Sequence, residues 1–170
     1  LNLLLGKYEY KGSIRASVRF TYFPFSVADP ARDTIDVLAE ATEGAPEWKL
    51  LRELGRMGMD VELLYRSFES LSPGERTRAL LAALFLRENN FLLIDEPTNH
   101  LDVEGRALLR DYLRTKKGFI LVSHDRAFLD GCVDHILSIN RANITVTRGN
   151  FSTWWENKAR QDAYELAENE

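Results

Sequence analysis

Phe91-Leu92-Leu93-Ile94-Asp95-Glu96-Pro97-Thr98-Asn99-His100-Leu101-Asp102 decides how this 170-residue chain is read. Four apolar residues, Phe91 to Ile94, end abruptly in two acids, the pattern of a parallel strand buried on both faces. In open α/β sheets the carboxyl end of such a strand is where ligands bind. Asp95 and Glu96 side by side repel each other and are costly to dehydrate unless a cation or a water-handling task engages them. Neighbouring residues at a strand end diverge, so they suit different tasks. Asp95 fits a Mg²⁺ shell, and Glu96 fits the polarisation of an attacking water. An acidic loop without a ligand is the plainer alternative. Pro97 to Leu101 makes a rigid turn, and Asp102 is a plausible cap for the next helix whatever the function.

Toward the C-terminus, Val103 to Leu113 has helical spacing and Gly118 closes it. Phe119 to Val122 reads as a second buried strand and runs into Ser123-His124-Asp125. A lone histidine is more often structural than catalytic. Here it ends a strand expected to lie parallel to the Asp95 strand, where a hydrogen-bond donor could sense a terminal phosphate. A short helix through Leu129, a strand from Val133 to Ile139, a shorter one from Ile144 to Val146 and a charged helix from Trp154 to Glu170 complete the pattern.

Toward the N-terminus, Leu71-Ser72-Pro73-Gly74-Glu75 opens a helix that reaches Arg87. Ser72 can cap it, Pro73 suits its first position, and Glu75 can reach back to complete a capping box. Gly74 lets another group approach the backbone closely. The same exposed helix start is also an anion site; both readings can hold together. Asp29 to Tyr65 is helical with breaks at Gly44-Ala45-Pro46, Gly55 and Gly58, which predicts a small helical subdomain. Ile14, Ala16, Val18 and Phe20 alternate as a half-buried strand does, and Phe23-Pro24-Phe25 ends it. Asn2 to Lys7 reads as the end of a helix. Strands alternating with helices mean an α/β layered domain.

Composition narrows the partners. Hydrophobic residues make up 45% and charged residues 28%, an ordinary balance for a globular domain. The longest apolar run, Ala79 to Leu86, is far short of the roughly 18 residues of a membrane span, so direct membrane insertion is not expected. No signal-peptide pattern opens the chain. The single cysteine, Cys132, cannot pair within the chain and sits among Phe128, Leu129 and Val133, so a packed thiol in a reducing compartment is expected. The net charge of −4 makes no demand for a nucleic-acid partner. Arg106, Arg110, Arg114, Lys116 and Lys117 read as a solvated helix face.

Three runs, Leu71–Glu75, Leu92–Asp102 and Val122–Asp130, in this order and spacing, resemble the nucleotide-binding domains of ABC ATPases. The resemblance extends from Leu1 to about Trp155. Asn99-His100-Leu101-Asp102 and Asp125-Arg126-Ala127-Phe128-Leu129 resemble the ABC-F branch, whose members are soluble, hold two such domains and act on the ribosome. The resemblance implies a P-loop NTPase-like parallel-sheet core with a helical subdomain at about residues 29–88. It also implies a partial nucleotide-binding domain over residues 1–155 and the start of an interdomain linker helix over residues 156–170. By the same resemblance Asp95 would hold Mg²⁺ through water, Glu96 would be the catalytic base for ATP hydrolysis, and His124 would contact the γ-phosphate. Ser72, Gly74 and Glu75 would touch ATP held by the opposite domain, and Asp102 would lie in the loop crossing between the two domains. ATP and Mg²⁺ are the implied cofactors. The implied partners are a second ABC domain of the same protein and the ribosome, and the implied location is the cytoplasm. The alternatives are the ATPase subunit of a membrane transporter and a non-catalytic module that lends its signature to a partner.

Two departures qualify the resemblance. Phe25 stands where the family has a glutamine, and a phenyl ring cannot ligate Mg²⁺; some antibiotic-resistance members of the branch resemble it here. The sequence also contains no G-x-x-x-x-G-K-[ST] phosphate loop. By the resemblance, Leu1 to Leu5 would lie in the helix that follows that loop, and the sheet would lack the loop's strand between Phe119–Val122 and Val133–Ile139. Unpaired inner edges of that kind are templates for self-association. The chain by itself is expected neither to bind ATP tightly nor to hydrolyse it.

Overall fold

The computed structural model describes residues 1–140 and 143–168. It divides into two compact units, Leu1–Ser123 and His124–Glu170. Asn169 and Glu170, the last residues of the expected linker helix, lie outside the described residues.

The larger unit is built on a three-stranded parallel sheet of order β1-β2-β3, with β1 at Arg19–Phe23, β2 at Asn90–Asp95 and β3 at Phe119–Val122. As expected for a strand covered on both faces, Leu92, Leu93 and Ile94 of β2 are at most 1% exposed. The register sets Phe23 beside Ile94 and Asp95 beside Val122, so the carboxyl ends of all three strands lie level.

Helices occupy the rest of this unit: α1 (Thr34–Ala41), α2 (Glu47–Arg56), α3 (Pro73–Leu84) and α4 (Val103–Arg114), with short 3₁₀ turns at Val61–Tyr65 and Phe68–Ser70. α3 buries Ala79 to Leu84 almost completely. Its apolar run is thus a core helix. Gly55 lies inside α2, and the chain turns instead at Gly58, whose φ of +66° only glycine adopts freely. Asn2 to Lys7 forms a closing turn at Gly6, where Lys7 N–H donates to the Asn2 carbonyl at 3.0 Å.

Two expectations need correcting here. The alternation from Ile14 to Phe20 reaches the strand only at its end: β1 begins at Arg19, and Ile14 and Val18 are exposed. Parallel pairing to β2 fixes the register, and it buries Thr21 and Phe23. β3 is only half-buried, with Val122 40% exposed, because among the described residues it pairs with β2 alone. It therefore keeps one open edge.

The smaller unit holds α5 (Arg126–Cys132), an antiparallel hairpin of β4 (His135–Ile139) and β5 (Ile144–Arg148), and α6 (Phe151–Glu168). The antiparallel pairing follows from the connection. Only four residues join β4 to β5, whereas a parallel crossover needs about a dozen. Leu137 faces Val146 and Ile139 faces Ile144, and all four are exposed. Within this unit Asp130 accepts from both the backbone and the hydroxyl of Ser152, joining α5 to α6. Cys132 is buried, its thiol on the Phe128 carbonyl at 3.2 Å, as a packed cysteine should be. No helix among the described residues is long and apolar enough to cross a membrane.

A buried acid ties the helices of the larger unit together. Glu53 of α2 is 1% exposed and accepts from the Tyr112 hydroxyl of α4 at 2.7 Å and from the Lys116 ammonium. Arg52 and Arg56 approach its other oxygen at 3.2 and 3.3 Å. Lys116 is therefore not part of a solvated face. Burial alone would raise the Glu53 pKa, but the hydrogen bonds from Lys116 and Tyr112 and the charges of Lys116 and Arg56 outweigh it and hold the pKa below its ordinary 4.5. The Tyr112 phenol is pushed up, first by burial and then by its bond to Glu53.

Because the folded pKa of Glu53 is depressed, its contribution to stability is complete above about pH 4.5 and is lost as pH falls through the folded value. Glu53→Gln should destabilise the chain at neutral pH by about 3 kcal/mol in urea unfolding. It should also flatten the decline of stability on acidification below about pH 4.5. Equal acid sensitivity in the variant and the wild type would contradict this account.

Candidate functional site

The carboxyl end of β2 carries the two acids. Asp95 is the last strand residue and is half-buried. Its Oδ2 accepts from the Tyr22 hydroxyl of β1 at 2.8 Å. That bond, then burial, then the Asp95 charge raise the Tyr22 pKa, so the phenol stays a donor. Tyr22 was not singled out in the sequence as a partner of this acid. Its signal was its place three residues before Phe25, at the end of the strand beside β2.

Glu96 leaves the strand at φ +47°, a left-handed conformation uncommon for a residue with a side chain. Its backbone N–H is fixed by the Val122 carbonyl at 2.8 Å, one more rung of the β2–β3 ladder. The ladder thus sustains the strained turn that separates the two acids. Phe25 lies under the Arg87 guanidinium, 4.9 Å from the ring centre. Arg87 also donates to the Ala41 carbonyl at 2.7 Å, and its pKa is lowered first by burial. A cavity of about 350 Å³ opens beside Phe25 and Arg87, and neither Asp95 nor Glu96 lines it. No metal-binding role for Phe25 follows from this setting.

The capped start of α3 forms as the sequence indicated. Glu75 N–H donates to the Ser72 hydroxyl at 3.3 Å, and Ser72 N–H donates to the Glu75 carboxylate at 2.7 Å. The backbone bond to Ser72, then its side chain, then Arg78 and Arg66 lower the Glu75 pKa against a smaller opposing effect of burial. Ser72 and Pro73 are exposed, and Gly74 and Glu75 are half-buried. A Cβ on Gly74 would lie 3.0 Å from the His100 carbonyl oxygen and 3.3 Å from Leu101 Cδ2. The α3 start and the loop after β2 therefore touch. That loop ends at Asp102, an exposed residue that caps α4 by accepting from Gly105 N–H at 2.8 Å. Gly105 is constrained as well, since a Cβ there would lie 2.9 Å from Asp102 Oδ1.

The structure thus brings Gly74 against the loop that leads to Asp102, and joins Asp95 and Glu96 to the two flanking strands. His124 opens the smaller unit as an exposed residue directly before the Asp125 cap of α5, which accepts from Phe128 N–H at 3.0 Å.

Comparison with known proteins gives a consistent picture. The sequence profile of the family described as ABC transporter matches residues 1–99. The energy-dependent translational throttle protein EttA of Haemophilus influenzae is 42% identical over 100 residues, covering 58% of this chain and 18% of that protein. EttA of Mycobacterium tuberculosis is 38% identical over 137 residues, covering 78% of this chain and 24% of that protein. The chain thus spans less than a quarter of the length of these relatives. Among solved structures, the complex of the archaeal ribosomal stalk protein aP1 with the ribosome recycling factor aABCE1 matches with a TM-score of 0.62 and 28% identity. That match covers 80% of this chain and 28% of the other.

The close approach at Gly74 can be tested against a helical glycine that has room. Gly74→Ala should cost about 1 kcal/mol in chemical denaturation, because the His100 main chain must move. Gly55→Ala has nothing within 4 Å and should stabilise by a similar amount. A Gly74→Ala variant as stable as Gly55→Ala would show that the two loops do not meet this closely.

Proposed function

The chain belongs to the ABC transporter family, and from that membership we propose that it is part of an ATP-hydrolysing cassette of the ABC-F branch that works on the ribosome. The observation that carries the ATPase reading is the placement of Asp95 and Glu96 at the carboxyl end of the central parallel strand, with a strained turn between them. Asp95 keeps one oxygen oriented by Tyr22. A single oriented carboxylate suits Mg²⁺, which is commonly held by one or two carboxylates together with water and substrate phosphates. When bound, the ion would neutralise charge on the phosphates. Glu96 accepts a proton from the attacking water, and His124 donates a hydrogen bond to the terminal phosphate. Ser72, Gly74 and Glu75 face ATP carried by an opposite cassette, and Asp102 lies in the loop that crosses to it. The exposure of Ser72 and Asp102 supports both roles.

In this reading residues 1–155 form part of one cassette and residues 156–170 begin the link to the next. The phosphate-loop sequence is not among these residues, so ATP lacks its backbone cradle and lysine here. The open edge of β3 and the exposed apolar face of the β4–β5 hairpin support self-association. The ribosome reading is supported by Asn99-His100-Leu101-Asp102 and by relatives whose names refer to translation and to ribosome recycling. Phe25 in place of glutamine is in keeping with an antibiotic-resistance type.

A nucleotide titration of the chain by itself should give no sub-millimolar ATP affinity; tighter binding would overturn the assignment of the missing cradle. In a protein carrying this sequence with a phosphate loop and a second cassette, Glu96→Gln should lower kcat by at least about 10²-fold. ATP affinity should persist. Unchanged single-turnover hydrolysis would remove Glu96 from the role of base.

A further inference from the structure

We propose that the solvent face of α2 is a docking surface for unpaired RNA, with Trp48 as a stacking platform and Lys49 and Arg52 as its phosphate contacts. α2 buries Leu50, Glu53 and Leu54 on one side. Trp48 lies outside that set and is 59% exposed, beside Leu51 at 39%. An indole left in water on a helix whose other face is well packed is not needed for the fold. The cations gather around it: the Lys49 ammonium is 5.7 Å from the ring centre and the Arg52 guanidinium 5.4 Å. Residues 48 and 52 are one turn apart, so Trp48 and Arg52 present one surface.

Charge selects the occupant. Of the two acids in α2, Glu53 is withdrawn into the core and neutralised there by Lys116 and the two arginines. Arg52 and Arg56 each give one nitrogen to Glu53 but stay 50% and 53% exposed, so with Lys49 they set three cations against Glu53 and Glu47 on this side of the helix. This is a basic, aromatic patch on a chain whose net charge is −4. Lys49 and Arg52 lie over the ring in the free chain; a nucleobase that stacks on the indole displaces them from its face, and the displaced cations meet its phosphates. A base inside a duplex cannot offer its face, so the ligand is single-stranded: a loop, a bulge or an end. The choice of RNA rests on the ribosomal reading given above; the stacking chemistry does not.

The test is fluorescence anisotropy of a labelled oligoribonucleotide of mixed sequence, single-stranded or as a duplex, titrated with the full chain at several salt concentrations. The wild type should bind the single strand and discriminate against the duplex. Trp48→Ala should weaken binding between about five- and one-hundred-fold, and Trp48→Phe should restore most of the loss. Lys49→Ala and Arg52→Ala should each reduce the salt dependence by about one ion. The overall fold of each variant is checked by circular dichroism, since Lys49 is half-buried and Arg52 also pairs with Glu53. Trp48→Ala binding like the wild type, Trp48→Phe as weak as Trp48→Ala, or equal affinity for the duplex would each overturn the proposal.

Co-sedimentation with ribosomes separates this idea from the reading it rests on. Wild type and Trp48→Ala pelleting alike would overturn the surface and leave the ribosomal role standing. A wild type that binds the oligonucleotide through Trp48 but does not pellet would support the surface and remove the ribosome. Pelleting that depends on Trp48 without any oligonucleotide binding would identify a protein occupant and overturn the proposal.

Discussion

The pairing of β2 on both sides is the constraint from which the larger unit is organised. A parallel strand with partners left and right, and with apolar side chains on both faces, has no freedom to slip by one residue. Leu92, Leu93 and Ile94 would leave their pockets, and the ends of β1 and β3 would no longer be level with Asp95. The same ladder reaches one residue beyond the strand, to the Glu96 N–H, and so holds a backbone conformation that the residue would not choose. Core packing and site geometry are in this sense a single set of contacts. The Tyr22 hydroxyl reaches Asp95 because the two strands are in register.

Around that sheet the helices are held by a different kind of force. α3 is held by its buried apolar face and by Arg78, which donates to the Met57 carbonyl at the end of α2, whereas α2 and α4 are joined through the carboxylate of Glu53. Such a group is costly to remove from water and is stable only while all its donors stay in place. It therefore fixes α2 relative to α4 more sharply than an apolar contact of equal area. One consequence is that the polar face of α2, including Trp48, keeps a defined orientation in the larger unit.

Much of this was legible in the sequence because it is local. The apolar run Phe91–Ile94 ending in acids named the central strand, and Ser72 with Glu75 named the α3 start with its reciprocal hydrogen bonds. What was not legible depends on partners distant in the chain. The β1 strand was placed several residues early, since alternation at Ile14 to Phe20 carries no information about which stretch β2 will pair. Nothing in the sequence singled out Glu53, and Lys116 read as one of several bases on a solvated helix face; their meeting joins positions 63 residues apart. Tyr22 was readable as a strand residue but not as a donor to Asp95. The antiparallel hairpin could have been inferred, since the link from Ile139 to Ile144 is too short for any other pairing.

The contact between Gly74 and His100 bears on how a disturbance travels through the larger unit. Where two segments are separated by side chains, a displacement of one is absorbed by rotamer changes in the layer between them. Here that compliant layer is absent: the Cα of a glycine faces a carbonyl oxygen of the other segment. A displacement of the first turn of α3 therefore meets the His100 main chain directly, and the reverse is equally true. The first turn of α3 and the turn ahead of α4 are thereby coupled in position.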